Sequence, residues 1–267
     1  MTSYITIALY ICAWAYMLDT LVRQKQSVAA RIILSIIGTG LCFHGLSVYN
    51  ALVSDQGITF SFFKVASLFF FVMNLLVLLS SLRKPLHNLF VFLMPLSIIS
   101  LLVSGLYGGP ANAGNALHPG MVAHILLSVL AYSLLTIASI QALLLAYQNR
   151  QLKSKHFHGM MGILPPLQTM ETLLFDIVWA GFLFLTLSIV TGVIYIDDIF
   201  VQKLSHKTVF SVLSWLIYAV LLSGHQIYGW RGASAVRWVL GGFAALMLAY
   251  FGSKFVIEVI IGHPTAP

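Results

Sequence analysis

Residues 172–195 read TLLFDIVWAGFLFLTLSIVTGVIY, a run of 24 residues in which Asp176 is the only charged side chain. A helix needs about 20 apolar residues to cross a hydrocarbon core roughly 30 Å thick, and helices satisfy their own backbone polar groups there. The run therefore predicts a transmembrane helix. Similar runs fall at roughly 3–22, 32–53, 62–82, 88–107, 121–147, 208–226 and 236–260. Together they predict an all-α, polytopic bundle of about eight helices.

The composition of the whole chain agrees with this fold class. Hydrophobic residues make up 60% of the 267 residues and charged residues only 8%, and the mean hydropathy is +0.95. Soluble domains carry about a quarter charged residues. We therefore expect one integral membrane domain over residues 1–267, with no room for a soluble catalytic domain and no enzymatic activity. The polar, Pro-containing stretch at about 148–172 predicts a cytoplasmic interfacial loop.

The basic residues predict the orientation of the bundle. Ten lie in the connections after the first, third, fifth and seventh apolar runs: Arg23, Lys25, Arg31, Arg83, Lys84, Arg150, Lys153, Lys155, Arg231 and Arg237. The other side holds four: Lys64, Lys203, Lys207 and Lys254. Because Lys and Arg concentrate in cytoplasmic loops, both termini are predicted to be periplasmic, in a bacterial inner membrane. The net charge of +7 is thereby explained as a topology signal, and no nucleic-acid partner is expected.

Nine histidines stand beside only seven acidic residues, and neutral imidazole is a good ligand for metals and haem iron. The predicted topology places five of them in or near the outer half of the membrane: His44, His118, His124, His206 and His263. The remaining four are predicted on the cytoplasmic side: His87, His156, His158 and His225. No metal-binding motif appears among them, and Cys12 and Cys42 show no CxxC spacing.

Each outer histidine also has a simpler interpretation. His44 and His124 lie inside helices, where an ionisable residue marks either a site or a hydrogen bond to a neighbouring helix. His206 begins the seventh helix, where it is either a ligand or an N-terminal cap. His263 lies four residues from the C-terminus, in a tail expected to fray. On the cytoplasmic side, His225 is interpreted as an interfacial anchor.

Several segments resemble CcsA/CcmC-type cytochrome c assembly proteins, and in particular the HemX/YpjD-like branch of that family. The first is HPGMVAHILLSVLAYSLLTIASIQALLLAY at 118–147, in which a histidine opens a long helix. It is followed by LPPLQTMETLLF at 164–175, TLSIVTGVIY at 186–195, LSHKTVFSVLSWLIYAVLLSGHQIYGWRG at 204–232 and LAYFGSKFVIEVIIGH at 248–263. The resemblance covers about residues 110–263, and the first four helices share only the hydropathy pattern.

The resemblance implies a haem-handling membrane protein whose outward-facing histidines bind haem. His124 matches the first outer histidine of the family, and His263 lies near the position of the second. His206 lies in the connection that carries a Trp-rich motif in true assembly proteins, but here that connection reads YIDDIFVQKLSHKT (195–208), without Trp. The resemblance therefore favours haem binding over delivery of haem to an apocytochrome, and the missing motif leaves that delivery open.

We expect a haem-binding accessory protein of cytochrome c biogenesis or haem handling, with b-type haem held stably or transiently by His124, His206, His44 and His263. Its expected partners are the lipid bilayer, haem and other cytochrome c biogenesis or membrane proteins. Two alternatives remain open at the level of sequence. One is a transporter or transport regulator for divalent cations that uses Asp197 and Asp198, and the other is a non-catalytic stabiliser of another membrane or tetrapyrrole-pathway protein.

Overall fold

The apolar runs form helices because a helix pairs each backbone N–H with a carbonyl oxygen of the same segment. The computed structural model describes residues 2–23, 27–54, 57–58, 62–82, 89–107, 118–154, 166–195 and 205–249. Its helices are α1 (Thr2–Arg23), α2 (Ser27–Leu52), α3 (Phe62–Ser81), α4 (Phe90–Tyr107), α5 (Pro119–Ser154), α6 (Leu167–Tyr195), α7 (Ser205–Tyr228) and α8 (Gly232–Met247). The predicted all-α bundle of about eight helices is confirmed within these residues.

Two very short strands follow α2. β1 (Val53–Ser54) pairs antiparallel with β2 (Gly57–Ile58). Each strand has two residues, so the pair only turns the chain between α2 and α3 and leaves the fold class unchanged.

Six of the helices in the described residues, α2 to α7, are long and apolar enough to cross a membrane. The Tyr and Trp side chains of α1 lower its hydropathy. The apolar helix α8 covers 16 residues, and the predicted eighth run continues into residues 250–260, outside the described part of the chain. The crossings predicted for α1 and α8 stay predictions, as does the periplasmic position of both termini.

The helices form two compact units, one containing α1 to α4 and the other α5 to α8. The sequence had predicted one membrane domain over residues 1–267, and apolar helices occur in both units. In the first unit, α1 packs against α2 and α4, and α3 also packs against both. In the second, α5 packs against α6 and α8, and α7 also packs against both.

A proline in α4 produces a specific contact between helices in the first unit. Pro95 lies inside α4 and has no N–H, so the carbonyl of Val91, four residues earlier, loses its helical donor. The indole Nε1 of Trp14 in α1 donates a hydrogen bond to this carbonyl at 3.0 Å. An exposed carbonyl at membrane depth costs free energy. The indole therefore compensates for the proline and joins the first helix of the unit to the last.

Small residues allow close helix packing in the second unit. Gly242 of α8 lies against the ring of Tyr218, and a Cβ on this glycine would lie 2.8 Å from the ring. The Tyr218 hydroxyl donates to the Val239 carbonyl at 3.2 Å, and Ser214 Oγ donates to the Gly242 carbonyl at 2.8 Å. These polar contacts fix the register of α7 against α8, because each reaches a particular backbone carbonyl.

The connection between α5 and α6 is shorter than the predicted interfacial loop at about 148–172. The structure corrects both boundaries, since α5 continues to Ser154 and α6 begins at Leu167. Gln and Arg favour helix, so α5 continues through Gln148–Gln151. At the other end, the N–H of Met170 donates to the carbonyl of Pro166 at 3.1 Å, which closes the first turn directly after the proline. The short interfacial helix predicted between them would lie in residues 155–165, outside the described residues.

Candidate functional site

His124 lies near the start of α5, and its half-buried imidazole faces α6. Its Nδ1 lies 2.8 Å from the backbone carbonyl oxygen of Ser188. A carbonyl can only accept a hydrogen bond, so Nδ1 carries the proton and donates it. In the neutral ring this leaves Nε2 unprotonated. No other described residue makes a hydrogen bond to that nitrogen.

Thr191 and Gly192 of α6 also contact this imidazole, and Ser128 of α5 bonds to the backbone of His124. Thr191 Oγ1 lies 3.4 Å from Nδ1, and the ring of His124 rests on Gly192, where an added Cβ would lie 2.9 Å from Cε1. Ser128 Oγ donates to the carbonyl of His124 at 2.7 Å and also lies 2.7 Å from Ser188 Oγ. The ring orientation and the tautomer are thus both set by the backbone of a neighbouring helix. Such an arrangement prepares a histidine to act as a ligand.

His44 has a different environment in the first unit. Its side chain is 0% exposed, with Nδ1 3.1 Å from the Tyr10 hydroxyl and Nε2 3.2 Å from Ser67 Oγ. The ring also makes an edge contact with Phe71. Both ring nitrogens are therefore occupied by hydroxyl groups of α1 and α3. This geometry favours the interhelical hydrogen bond over the ligand role that the sequence also allowed.

The other predicted ligands lie at the limits of the described chain. His206 is the second residue of α7, so its backbone lies in the first turn of that helix, as predicted. Nothing is described of its side chain, and His263 lies outside the described residues. His118 is exposed directly before α5. The structure therefore brings His124 and the α7 N-terminal turn into the same unit, and pairing of His124 with His206 stays a prediction.

His225, near the end of α7, has an environment that the sequence analysis missed. Its Nδ1 donates to the carbonyl of Trp230 at 2.9 Å, so its tautomer is fixed in the same way as that of His124. Its ring stacks on Phe175 of α6, with centroids 3.5 Å apart and planes at 14°. The imidazole is thus both oriented and stacked, and its role as an interfacial anchor stays a prediction.

The turn after α7 explains how the Trp230 carbonyl reaches His225. Gly229 has a left-handed φ of 66°, its N–H donates to the His225 carbonyl, and the N–H of Trp230 donates to the Gly224 carbonyl. The first bond is that of the αL motif, in which a glycine in the left-handed conformation ends the helix, and the second bond holds Trp230 against the last turn of α7. The signal was present in the sequence as the HQIYGW run at 225–230, whose glycine follows the last apolar turn.

No group of three His, Cys, Asp or Glu side chains that could hold a metal ion occurs among the described residues. Asp197 and Asp198, the carboxylates considered for a cation site, lie outside them.

The fold and these side chains define a class, namely a multi-pass helical membrane protein in which His124 and His225 are oriented by backbone carbonyls. Comparison with known families narrows that class. The chain belongs to the cytochrome c assembly protein family, whose model, described as Cytochrome C assembly protein, matches residues 33–261. The resemblance found in the sequence is thereby confirmed.

Several curated proteins are similar to this chain. Inner membrane protein YpjD of Escherichia coli strain K12 is 41% identical over 142 residues, which cover 53% of this chain and 54% of YpjD. An uncharacterized 28.8 kDa protein of Azospirillum brasilense is 34% identical, covering 64% of this chain and 66% of that protein. The cytochrome c biogenesis protein CcsA of Prochlorococcus marinus strain MIT 9515 is 29% identical, covering 33% of this chain and 29% of CcsA.

The alignment with YpjD spans about half the length of that relative. No solved structure matches the chain. The six candidate spans and the likeness to an inner membrane protein agree with the predicted localisation. The chain is a multi-pass protein of the bacterial inner membrane.

Proposed function

We propose that this chain is a non-enzymatic haem-binding protein that acts as an accessory in cytochrome c biogenesis or haem handling, with His124 as an axial ligand. Membership in the cytochrome c assembly family supports a role in haem handling. The relatives named CcsA are cytochrome c biogenesis proteins, which supports the same pathway for this chain.

The observation that carries the proposal is the hydrogen bond from His124 Nδ1 to the Ser188 carbonyl at 2.8 Å. Iron binds the unprotonated nitrogen of a neutral imidazole, and haem proteins commonly fix the opposite nitrogen through a carbonyl or carboxylate. His124 Nδ1 makes a hydrogen bond of this kind to a backbone carbonyl of α6.

The residues around His124 fit a haem group in chemistry as well. Haem, when bound, supplies an iron centre that takes axial nitrogen ligands and an apolar macrocycle that needs a slot between helices. His124 would supply one nitrogen, Ser188 and Thr191 would hold its tautomer, and Gly192 leaves room for the ring. Lys207, in the first turn of α7, is a cation for the haem propionates.

Absorption spectroscopy tests the proposal directly. The full chain is purified in mild detergent, and haem is measured from the Soret band at matched protein concentration. We expect His124→Ala to lose most of the Soret absorbance. The matched control is His118→Ala, because that exposed histidine lies six residues earlier on the same segment and should leave the spectrum unchanged. Equal Soret bands in wild type and His124→Ala would overturn the proposal.

We propose a role in haem handling without chemistry on the haem, in which the connection before α7 differs from that of the assembly proteins. Residues 195–208 contain no Trp, whereas assembly proteins of the CcsA type carry a Trp-rich motif there. We propose that the chain binds haem and cooperates with other biogenesis or membrane proteins for its transfer. Comparing cytochrome c levels with and without the chain, in cells supplied with the same haem precursor, measures that contribution.

A further inference from the structure

A groove on the second unit runs between α7 and α8. It has a volume of about 420 Å³ and is lined by Ile217 of α7 and by Arg237, Trp238 and Gly241 of α8. This volume lies in the range of roughly 300–1,000 Å³ that small-molecule sites occupy. Arg237 and Gly241 are both exposed, so the groove opens on the outside of the helix pair. None of the proposed haem ligands lines it.

The polar and apolar parts of the groove are arranged along α8. Gly241 follows Arg237 by four residues, so both lie on the same face of the helix and one turn apart. Arg237 lies nearer the start of α8, at the end where the charge pattern predicts the cytoplasmic surface. Gly241 lies one turn further into the helix, beside Ile217. The groove therefore has a cationic end toward the membrane surface and an apolar end toward the membrane interior.

Aromatic side chains around the turn from α7 to α8 support this placement of the groove relative to the membrane surface. The rings of Trp230 and Trp238 stack with centroids 5.4 Å apart, and Tyr228 stacks on Trp230 at 6.4 Å. Stacked Tyr and Trp side chains are typical of the headgroup region of a bilayer. Trp238 forms one wall of the groove, so the charge pattern and these rings together indicate that its neighbour Arg237 lies near the headgroup region.

The charge of Arg237 is not neutralised by any residue that the structure describes. Its Nε contacts the Ala233 carbonyl at 3.4 Å, and its Nη2 contacts Ser234 Oγ at 3.5 Å, both on its own helix. The carboxylate of Glu171, in α6, accepts a hydrogen bond from the N–H of Gly232 at 2.9 Å instead. Arg231, at the N-cap of α8, makes no side-chain cap bond and adds a second exposed cation. This end of the helix pair therefore attracts anions.

We propose that this groove is a binding site for an anionic phospholipid, whose phosphate pairs with Arg237 and whose acyl chain lies over Gly241 between Ile217 and Trp238. A guanidinium pairs well with a phosphate through two parallel hydrogen bonds. The missing side chain at position 241 leaves the space for the acyl chain, since a Cβ there would meet nothing within 4 Å.

Native mass spectrometry of the full chain in detergent tests the site. The delipidated protein is titrated with phosphatidylglycerol, with phosphatidylcholine and with inorganic phosphate. We expect one retained phosphatidylglycerol, about tenfold weaker binding of phosphatidylcholine, and no retained phosphate ion. Retention of inorganic phosphate alone, or equal binding of the two lipids, would overturn the proposal.

Two variants change the groove in independent ways. Arg237→Gln removes the cation, and Gly241→Leu fills the apolar part, where the structure leaves room for the new side chain. Each should weaken phosphatidylglycerol binding about tenfold. The control is Arg150→Gln, an exposed arginine near the end of α5 and on the same predicted side of the membrane, which should change it less than twofold.

Unchanged phosphatidylglycerol binding in both groove variants would contradict the lipid site, as would equal losses in Arg237→Gln and Arg150→Gln. The Soret band is recorded on the same samples. If Gly241→Leu or Arg237→Gln removed the haem absorbance while lipid binding stayed intact, the groove would be a haem site and the lipid proposal would be wrong. Loss of lipid binding with an unchanged Soret band supports the proposal and is independent of the haem-binding function.

Discussion

The imidazole of His124 lies directly on Gly192, so closely that a methyl group at position 192 would come within 2.9 Å of Cε1. Position 192 lies within the regular helix α6, so its backbone conformation does not call for a glycine. The close contact with the imidazole does. Contact with the helix allows Nδ1 to reach the Ser188 carbonyl, one turn earlier. The absence of one side chain therefore permits the orientation of the proposed ligand.

We expect Gly192→Ala to reduce haem occupancy while the protein stays folded. The added methyl group displaces the imidazole and breaks or lengthens the bond to Ser188, so Nε2 no longer points in one direction. The Soret absorbance at matched protein concentration should fall severalfold, and the elution volume in detergent should not change. Gly105→Ala is the control, because a Cβ at that helical position meets nothing within 4 Å. An unchanged Soret band in Gly192→Ala would mean that haem binding does not depend on the orientation of His124.

At the contact between α1 and α4, removal of the indole donor should destabilise the first unit. Trp14→Phe leaves the Val91 carbonyl without its partner, and we expect a loss of about 1 kcal/mol in the free energy of unfolding, as for other interhelical hydrogen bonds. Pro95→Ala restores an N–H four residues after Val91. The double variant Trp14→Phe/Pro95→Ala should therefore lose less stability than the sum of the single changes.

Thermal unfolding of the four proteins in one detergent measures this coupling through a double-mutant cycle. Strict additivity of the two substitutions would show that the indole and the proline act independently.

The contacts of His124 with Ser188 and of Trp14 with Val91 illustrate what the sequence can and cannot predict. The helices could be predicted, because about 20 apolar residues per crossing is a local requirement that composition alone reveals. His124 could be selected as a candidate ligand from its polarity inside an apolar run and from the family resemblance. Its tautomer could not be predicted, because the acceptor is a backbone carbonyl 64 residues away, and every residue has such a carbonyl. The hydrogen bond from His225 to the Trp230 carbonyl could not be predicted for the same reason, although Gly229 did signal the turn that brings this carbonyl to it.

His44 shows a second limit of prediction from sequence, which concerns side-chain partners. Its depth in α2 suggested either a ligand or a hydrogen bond, and the sequence contains no signal to choose between them. The choice depends on hydroxyl groups of two other helices, Tyr10 and Ser67. Hydropathy patterns say which residues lie in the membrane but not which polar side chains meet there.

The orientation of the bundle is a third prediction, based on ten basic residues on one side and four on the other. Reporter fusions after Arg83 and after Lys153 should report the cytoplasm. Fusions near Asn112 and near Asp198 should report the periplasm. Reversed signals at two or more of these positions would place the His124 end of α5 on the cytoplasmic side, and the outer haem site would then have to be abandoned.

The final prediction concerns the second axial ligand, for which we expect His206. The predicted topology starts both α5 and α7 at the outer face, and the two helices belong to one compact unit. His124 is the sixth residue of α5 and His206 is the second of α7. Two neutral imidazoles give a low-spin, six-coordinate haem, so His206→Ala should shift the Soret and α bands toward a five-coordinate species or weaken haem retention.

Three further variants make the ligand comparison specific, at matched protein levels. His44→Ala should leave the spectrum unchanged and lower thermal stability, because both of its ring nitrogens are used in hydrogen bonds within the first unit. His263→Ala tests the histidine that the family resemblance places near the second outer position. If that variant changed the bands and His206→Ala did not, the second ligand would come from the C-terminal segment. His225→Ala tests the other oriented imidazole, and a band shift confined to it would move the haem to the opposite end of α7.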